Sequence, residues 1–413
     1  MGYLLTQAAL ALGSILLVLL PLAAPTVLAL AGAYCCIRLP PARDELQRLL
    51  SWTALVVAYP ALSALWALDP RRALIAAAGT AIIVLVSVLT YGRSGRLRDA
   101  FLPAFAYGFP VVVFVSLADV LLGIPLRTAL AELGVEWVGQ PRMIGKTGKV
   151  ELAAVNWSIV VTALLLFPYL AATHAASRAS LSRQTLRYLV VLALVATIFA
   201  SPHQSSMVAV CAGAVTYAVA RFHKKIAFVL VSAAWLVSIS ATPLLMGAAL
   251  HHMPASLASS LPNSLQHRFV IWKVALRDIG RSPWVGTGAA STRAFFRANQ
   301  MNKKSTKFVS VAPHSHNWFL ELWRELGAVG AALGSIFALL VVQRVYVRLD
   351  HIPPEQIAFA GLVLSMSTST FSPWAAWYVS AIGIAFAMFG MSRRDAAEPP
   401  DVRVAWRRSP TNQ

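Results

Sequence analysis

The chain has 413 residues, enough for two or three soluble domains or for about a dozen membrane spans of roughly 20 residues. Hydrophobic residues make up 58% and charged residues only 12%, against about 25% charged in soluble domains, and mean hydropathy is +0.66. These values exclude a soluble enzyme or a nucleic-acid binder, and they make the formal charge of +19 a question of where the basic residues sit.

Apolar segments are read at 4–20, 22–37, 51–68, 73–91, 104–124, 151–172, 188–201, 206–221, 226–250, 326–345, 355–372 and 374–391. Only helices or a closed barrel satisfy the backbone in lipid, and runs this apolar lack the alternation of a barrel, so about 12 transmembrane helices are expected. The opening MGYLLTQ has no charged stretch ahead of its apolar run, so no cleaved leader is expected. Cys35, Cys36 and Cys211 lie in apolar stretches without metal or disulfide spacing and read as small buried residues.

Alternate connections carry Arg38, Arg43 and Arg48, then Arg93, Arg96 and Arg98, then Arg178, Arg183 and Arg187, then Arg221, Lys224 and Lys225, then Arg344 and Arg348, and finally Arg393 and Arg394. By the positive-inside rule these are cytoplasmic, which puts both termini inside. Residues 1–391 then form a single transmembrane domain, and 392–413, rich in proline and mixed charge, reads as a disordered tail.

Two outer connections are long, 125–150 and 251–315. The second holds Arg268, Lys273, Arg277, Arg281, Arg293, Arg297, Lys303, Lys304 and Lys307 against a lone Asp278. Long loops escape the charge rule, so orientation survives, and a polyanionic ligand at the outer face is the natural reason for the charge; attraction to anionic headgroups is the alternative.

Within that loop, Ser264 reads as a helix cap and Pro283 with Gly286 as the stop. Phe269, Trp272, Leu276 and Ile279 form an apolar stripe at helical spacing, as in an amphipathic helix at a membrane surface. Arg268 precedes Trp272 by one turn, so the ring is expected to brace a guanidinium fork that fits phosphate oxygens. Arg142 and Lys146, in the first outer loop, are weaker candidates for the same anion site. Gly286-Thr287-Gly288 is too short for a phosphate loop, and Lys146-Thr147-Gly148 lacks the Ser-x-x-Lys partner of penicillin-binding enzymes.

His314 and His316 stand just before an apolar helix. An imidazole there can accept a proton from an attacking hydroxyl. Spacing of two is not that of a helical zinc pair, and no Asp-x-Asp clamp occurs in the outer loops, so no metal and no cofactor are expected. His316 is the preferred base, because His314 should point elsewhere once the helix begins.

His316-Asn317-Trp318-Phe319-Leu320, with Glu325-Leu326-Gly327 and Gly330, resembles the H-N-x-x-L…G motif of the O-antigen ligase/polymerase family. Arg268, Trp272, Pro283 and Gly286-Thr287-Gly288 are similar to that family's preceding stretch, and YPALSALWALDPRRAL (59–74) to its third-span signature. Many relatives carry Ser-Arg on a middle helix, where this chain has Ser201-Pro202-His203-Gln204-Ser205-Ser206, which leaves the roles of His203 and Gln204 open.

The resemblance implies an all-helical, GT-C-like glycosyltransferase of lipopolysaccharide biosynthesis in the bacterial inner membrane, with its active site on the periplasmic side. The donor would be an undecaprenyl-diphosphate-linked glycan and the acceptor, for a ligase, lipid A–core. His316, with His314 beside it, would supply the base, and Arg268, Arg142, Lys146, Lys273 and Trp272 would bind the diphosphate. The transfer would invert the anomeric centre. An O-antigen polymerase or a protein O-oligosaccharyltransferase of the same family is the alternative. A lipid-linked glycan transporter would instead need ionisable residues along its helices, for which Asp119 is the main candidate, and a non-catalytic assembly partner would have no use for the His-Asn motif.

Overall fold

In the computed structural model, residues 17–38, 40–134, 155–177, 181–295 and 314–392 are described. They form an all-α polytopic membrane protein, with no strand among the described residues. The main helices are α1 (Ala24–Arg38), α2 (Arg43–Leu62), α3 (Pro70–Leu121), α4 (Pro125–Glu132), α5 (Asn156–Ser177), α6 (Leu181–Ala200), α7 (Gln204–Phe222), α8 (Lys224–His251), α9 (Ala255–Ser260), α10 (Asn263–Arg281), α11 (Trp318–Tyr346), α12 (Pro354–Ser367) and α13 (Ala376–Ser392).

Among the described residues, seven segments are long and apolar enough to cross a bilayer, and Pro21–Ile37, Gly108–Leu121 and Ala376–Gly390 are shorter apolar helices. Two differences from the twelve expected segments stand out. Segments 73–91 and 104–124 are joined in α3, which continues through the basic stretch between them. Segments 355–372 and 374–391 shrink to α12 and α13, because 368–375, with Pro373, leaves the helix. The first segment lies almost wholly outside the described residues, as does the tail from 393.

α5 is the enclosed centre of the bundle, buried from Ser158 to Tyr169. Its Phe167 and Tyr169 meet α7 and α3 through Tyr217, Phe105 and Phe109. Cys35 is buried as expected, but Cys36 and Cys211 are exposed on helix faces.

Asp119 is not free to line a transport path. Its carboxylate pairs with the fully buried Arg127 and accepts the Leu126 N–H at 2.7 Å, closing the turn from α3 to α4. Nor do all charges lie outside the bundle. Glu321, Arg324 and Glu325 on α11, Arg187 on α6 and Glu355 on α12 are buried.

α10 begins at Asn263, after an extended Pro262, and Ser264 makes no cap. Its apolar stripe is used, but against protein. Trp272, Ala275 and Ile279 pack with Leu320 and Trp323 of α11 and with Met246 and Leu250 of α8. That packing docks the loop helix on the bundle.

Candidate active site

The scaffold of the site is a backbone exchange. Inside α11, Gly327 leaves the helical region (φ 61, ψ −163), which frees the carbonyls of Arg324 and Glu325 and the N–H groups of Ala328 and Val329. Thr287 and Gly288 donate to those carbonyls at 3.0 and 2.8 Å, while Ala328 and Val329 donate to Pro283 and Trp284 at 2.8 and 3.0 Å. Gly286 and Gly288 have φ of 68° and 89°, and a Cβ on either would collide, at Gly286 with the Glu325 carbonyl group and at Gly288 with Ala67. The G-x-G and E-L-G sequences are therefore two halves of one joint. Its N–H groups are consumed, so it holds no phosphate.

The third motif stretch closes on the same joint. Tyr59 donates to the Leu326 carbonyl (3.2 Å), Trp66 to that of Val285 (3.3 Å) and Ala289 N–H to Ser63 Oγ (2.9 Å). Asp69 caps α3 by accepting the Arg72 N–H at 3.0 Å. Glu325 anchors the far side by accepting from the N–H groups of Ala290 (2.7 Å) and Thr292 (2.9 Å) and from Trp374 Nε1 (2.5 Å). Arg324, fully buried, pairs with Asp278 of α10 at 2.8 Å.

The first turn of α11 holds the histidines. Asn317 is the N-cap, accepting the Leu320 N–H at 2.9 Å. His316 just before it is left-handed (φ 51), a strained state for a residue with a Cβ, kept by its surroundings. Glu321 reaches back to accept the Ser315 N–H at 2.9 Å and forward to accept from Ser372 Oγ at 2.5 Å. The His-Ser-His loop is thus fastened to the 368–375 segment.

The two imidazoles do not diverge, contrary to the sequence expectation: their ring centroids are 4.1 Å apart. The left-handed turn at His316 brings its ring back over His314. The His316 N–H donates to His314 Nδ1 (3.3 Å), so a neutral His314 carries its proton on Nε2. The His316 ring bonds to the Thr370 backbone through one nitrogen, which leaves the other nitrogen to accept a proton.

Arg268 completes the cluster. Its Nη1 donates to Ser205 Oγ at the start of α7 (3.4 Å), and Ser205 donates to the Ser369 carbonyl (3.2 Å). His203, just before α7, bonds Ser206 Oγ through Nδ1 (2.7 Å) and lies parallel to Phe371 at 6.3 Å, with His314 on the same ring at 6.0 Å. Burial first, and Arg268 second, push His203 and His314 down to about 4. His316 is lowered well below 6.5 by burial, His314, Arg268 and His267. Three imidazoles held toward the neutral form and one guanidinium make a cluster whose basicity rises when an anion arrives.

Compared with known families, residues 189–334 match the family model described as O-antigen ligase. Those residues, about a third of the chain, are thus similar to an O-antigen ligase domain. The matched stretch runs from α6 to the Gly327 joint and so contains His203, Arg268, His314 and His316. No curated protein matches the chain. An O-antigen ligase belongs to a family of glycosyl-transferring membrane enzymes that work on lipid-linked glycans and lipid acceptors.

Within this matched stretch, Trp272 does not brace Arg268. Its ring packs on Phe269, and its Nε1 donates to the Ser315 carbonyl at 2.9 Å, so the indole positions the histidine loop. Lys273 is exposed on α10, away from the bonds that build the cluster. Arg142 and Lys146 lie outside the described residues. Among the described residues, no three His, Cys, Asp or Glu side chains converge as a metal cage requires.

Sequence reasoning missed Glu321, Arg324, Ser205 and the 368–375 segment. A signal existed for the first two: ionisable residues one turn apart inside an apolar span mark function or its support. Beside the cluster lies a cavity of about 530 Å³, walled by the start of α3, the 371–379 stretch, His314, Glu321, Glu325 and the 290–293 turn.

Proposed function

We propose that this protein transfers a glycan from undecaprenyl diphosphate to a hydroxyl of lipid A–core at the periplasmic face of the bacterial inner membrane. The observation that carries the reading is the electrostatic influence of Arg268 on His316, whose ring is held at the Thr370 backbone through one nitrogen. In this reading both termini are cytoplasmic, 251–315 is the catalytic loop, and Arg142 and Lys146 of 125–150 assist the anion site.

The energy of transfer resides in the sugar–diphosphate bond. The acceptor oxygen forms the new bond to the anomeric carbon, the bond to the diphosphate oxygen breaks, and His316 takes the hydroxyl proton. Base assistance of this kind is worth about 10²–10⁴-fold in rate. Arg268 stabilises the departing diphosphate, and the neighbouring imidazoles add charge as that anion raises their basicity. Displacement opposite the leaving group inverts the anomeric centre. The pairing of Asp119 with Arg127 weighs against a transport path.

The test is to mix purified protein with lipid-linked glycan and lipid A–core in excess EDTA, without nucleotide. Joined product is expected. Loss of activity on chelation, restored by Mg²⁺ or Mn²⁺, would show the metal-free mechanism to be wrong.

A further inference from the structure

The 530 Å³ cavity beside the histidines is built for different chemistry from the cationic cluster. Arg268, His203 and His316 do not line it, and His314 is the wall that the two share. Its sides are aromatic. Trp157 and Trp377 stack at 5.2 Å and 19°, and Phe371 meets Trp377 edge-on at 4.8 Å.

Its floor holds two carboxylates. Glu321 accepts two hydrogen bonds and Glu325 three, and both line the cavity with carboxyl oxygens. The lining therefore mixes aromatic faces with polar oxygens. A sugar ring is the complementary occupant. It offers an apolar C–H face to aromatic walls and a rim of hydroxyl donors to carboxylates, and a cavity of this size lies in the usual range for small ligands.

We propose that this cavity is the acceptor subsite, holding a hydroxylated sugar ring of the lipid acceptor against Trp377 and Phe371 with its hydroxyls toward Glu321 and Glu325. The proposal rests on the transferase reading above. It explains the layout: a displacement needs nucleophile and leaving group in separate compartments that meet at one carbon. The imidazole pair, 4.1 Å apart, is where the two compartments join. His314, with its proton on Nε2, orients the incoming hydroxyl, and His316 takes the proton.

Gly79 of α3 offers a clean test. It lines the cavity, and a Cβ built there meets nothing within 4 Å, so a side chain enters empty space and helix propensity improves. In the series Gly79→Ala and Gly79→Phe, initial rates are measured with acceptor varied at saturating donor, and the reverse. The acceptor KM is expected to rise at least about tenfold in the Phe variant and less in the Ala variant, with the donor KM within about twofold. An unchanged acceptor KM, or a donor KM that rises with it, overturns the proposal.

A second arm does not depend on turnover. Lipid A–core is titrated into purified protein in detergent, without donor, and tryptophan fluorescence is read. Saturable quenching in the natural protein, weakened in Gly79→Phe, supports the subsite even where no transfer is detected, which would place the failure in the reaction assigned above. No saturable quenching, or equal quenching in both, overturns it. Should the Phe variant not fold, the Ala variant carries both arms.

Discussion

The joint inside α11 and the histidine–Arg268 cluster at its foot are about three turns apart along that helix, and they differ in what they leave unsatisfied. At the joint, the backbone exchange between 283–288 and 324–329 is complete, and Glu325 accepts three hydrogen bonds. At the cluster, Arg268 makes one long bond of 3.4 Å, and His316 keeps a free nitrogen. Saturated polar groups fix geometry. Unsaturated ones, gathered around a space, are what a charged substrate completes.

The comparison predicts a graded set of losses. The largest follows from breaking the joint: Gly286→Val puts a branched side chain at φ 68 against the Glu325 carbonyl group. Strain of a few kcal/mol at such a position should abolish correct assembly, seen as lost membrane accumulation and no cooperative melt. A variant that accumulates and melts normally would show that the exchange is dispensable.

Next comes the cluster. Arg268→Ala should retain fold and membrane level but lose about 10²–10³ in turnover, with Arg268→Lys recovering part of it, since an ammonium does not reproduce the guanidinium fork. The same variant tests the electrostatics. The neutral imidazole of His316 is the active form, and burial with His314 and Arg268 holds it well below its usual 6.5, so kcat/KM should persist as pH falls past 6.5 and be lost only well below it. Removing Arg268 should move that acidic limb upward. An unmoved limb would mean that Arg268 acts without influencing the histidines.

The smallest loss is expected where the two regions touch. Glu321 fastens the Ser315 N–H and Ser372 Oγ but takes no part in proton transfer. Glu321→Gln should cost roughly tenfold in kcat by loosening the histidine loop, with the donor KM little changed. A rise in donor KM alone would reassign Glu321 to donor binding.

Much of this was legible in the sequence, and the illegible parts share a cause. Apolar runs specified the membrane class, and the period of Phe269, Trp272, Leu276 and Ile279 marked the helix α10, although Ser264, read as its cap, lies two residues past the observed cap at Pro262. Motif order brought Arg268 and His316 together in expectation as in structure. The exchange at Gly327 was hidden, because it trades backbone groups whose partners lie 40 residues away and leaves no side-chain pattern. His203 was hidden for a related reason: its place beside Phe371 depends on a helix ending early at 368–375, which hydropathy read as continuous span. Arg268 donates to Ser205 rather than resting on Trp272, whose ring packs on Phe269 and whose N–H donates to the Ser315 carbonyl.

The central claim is that His316 takes the proton while His314 only orients. Turnover of His316→Gln and of His314→Gln, each at saturating donor and acceptor and normalised to membrane level, tests it most directly. The account predicts a fall of at least about a hundredfold for His316→Gln with donor binding intact, and a smaller fall for His314→Gln, whose amide can still donate. Turnover of His316→Gln above about a third of the natural protein, or the larger loss in His314→Gln, would contradict it.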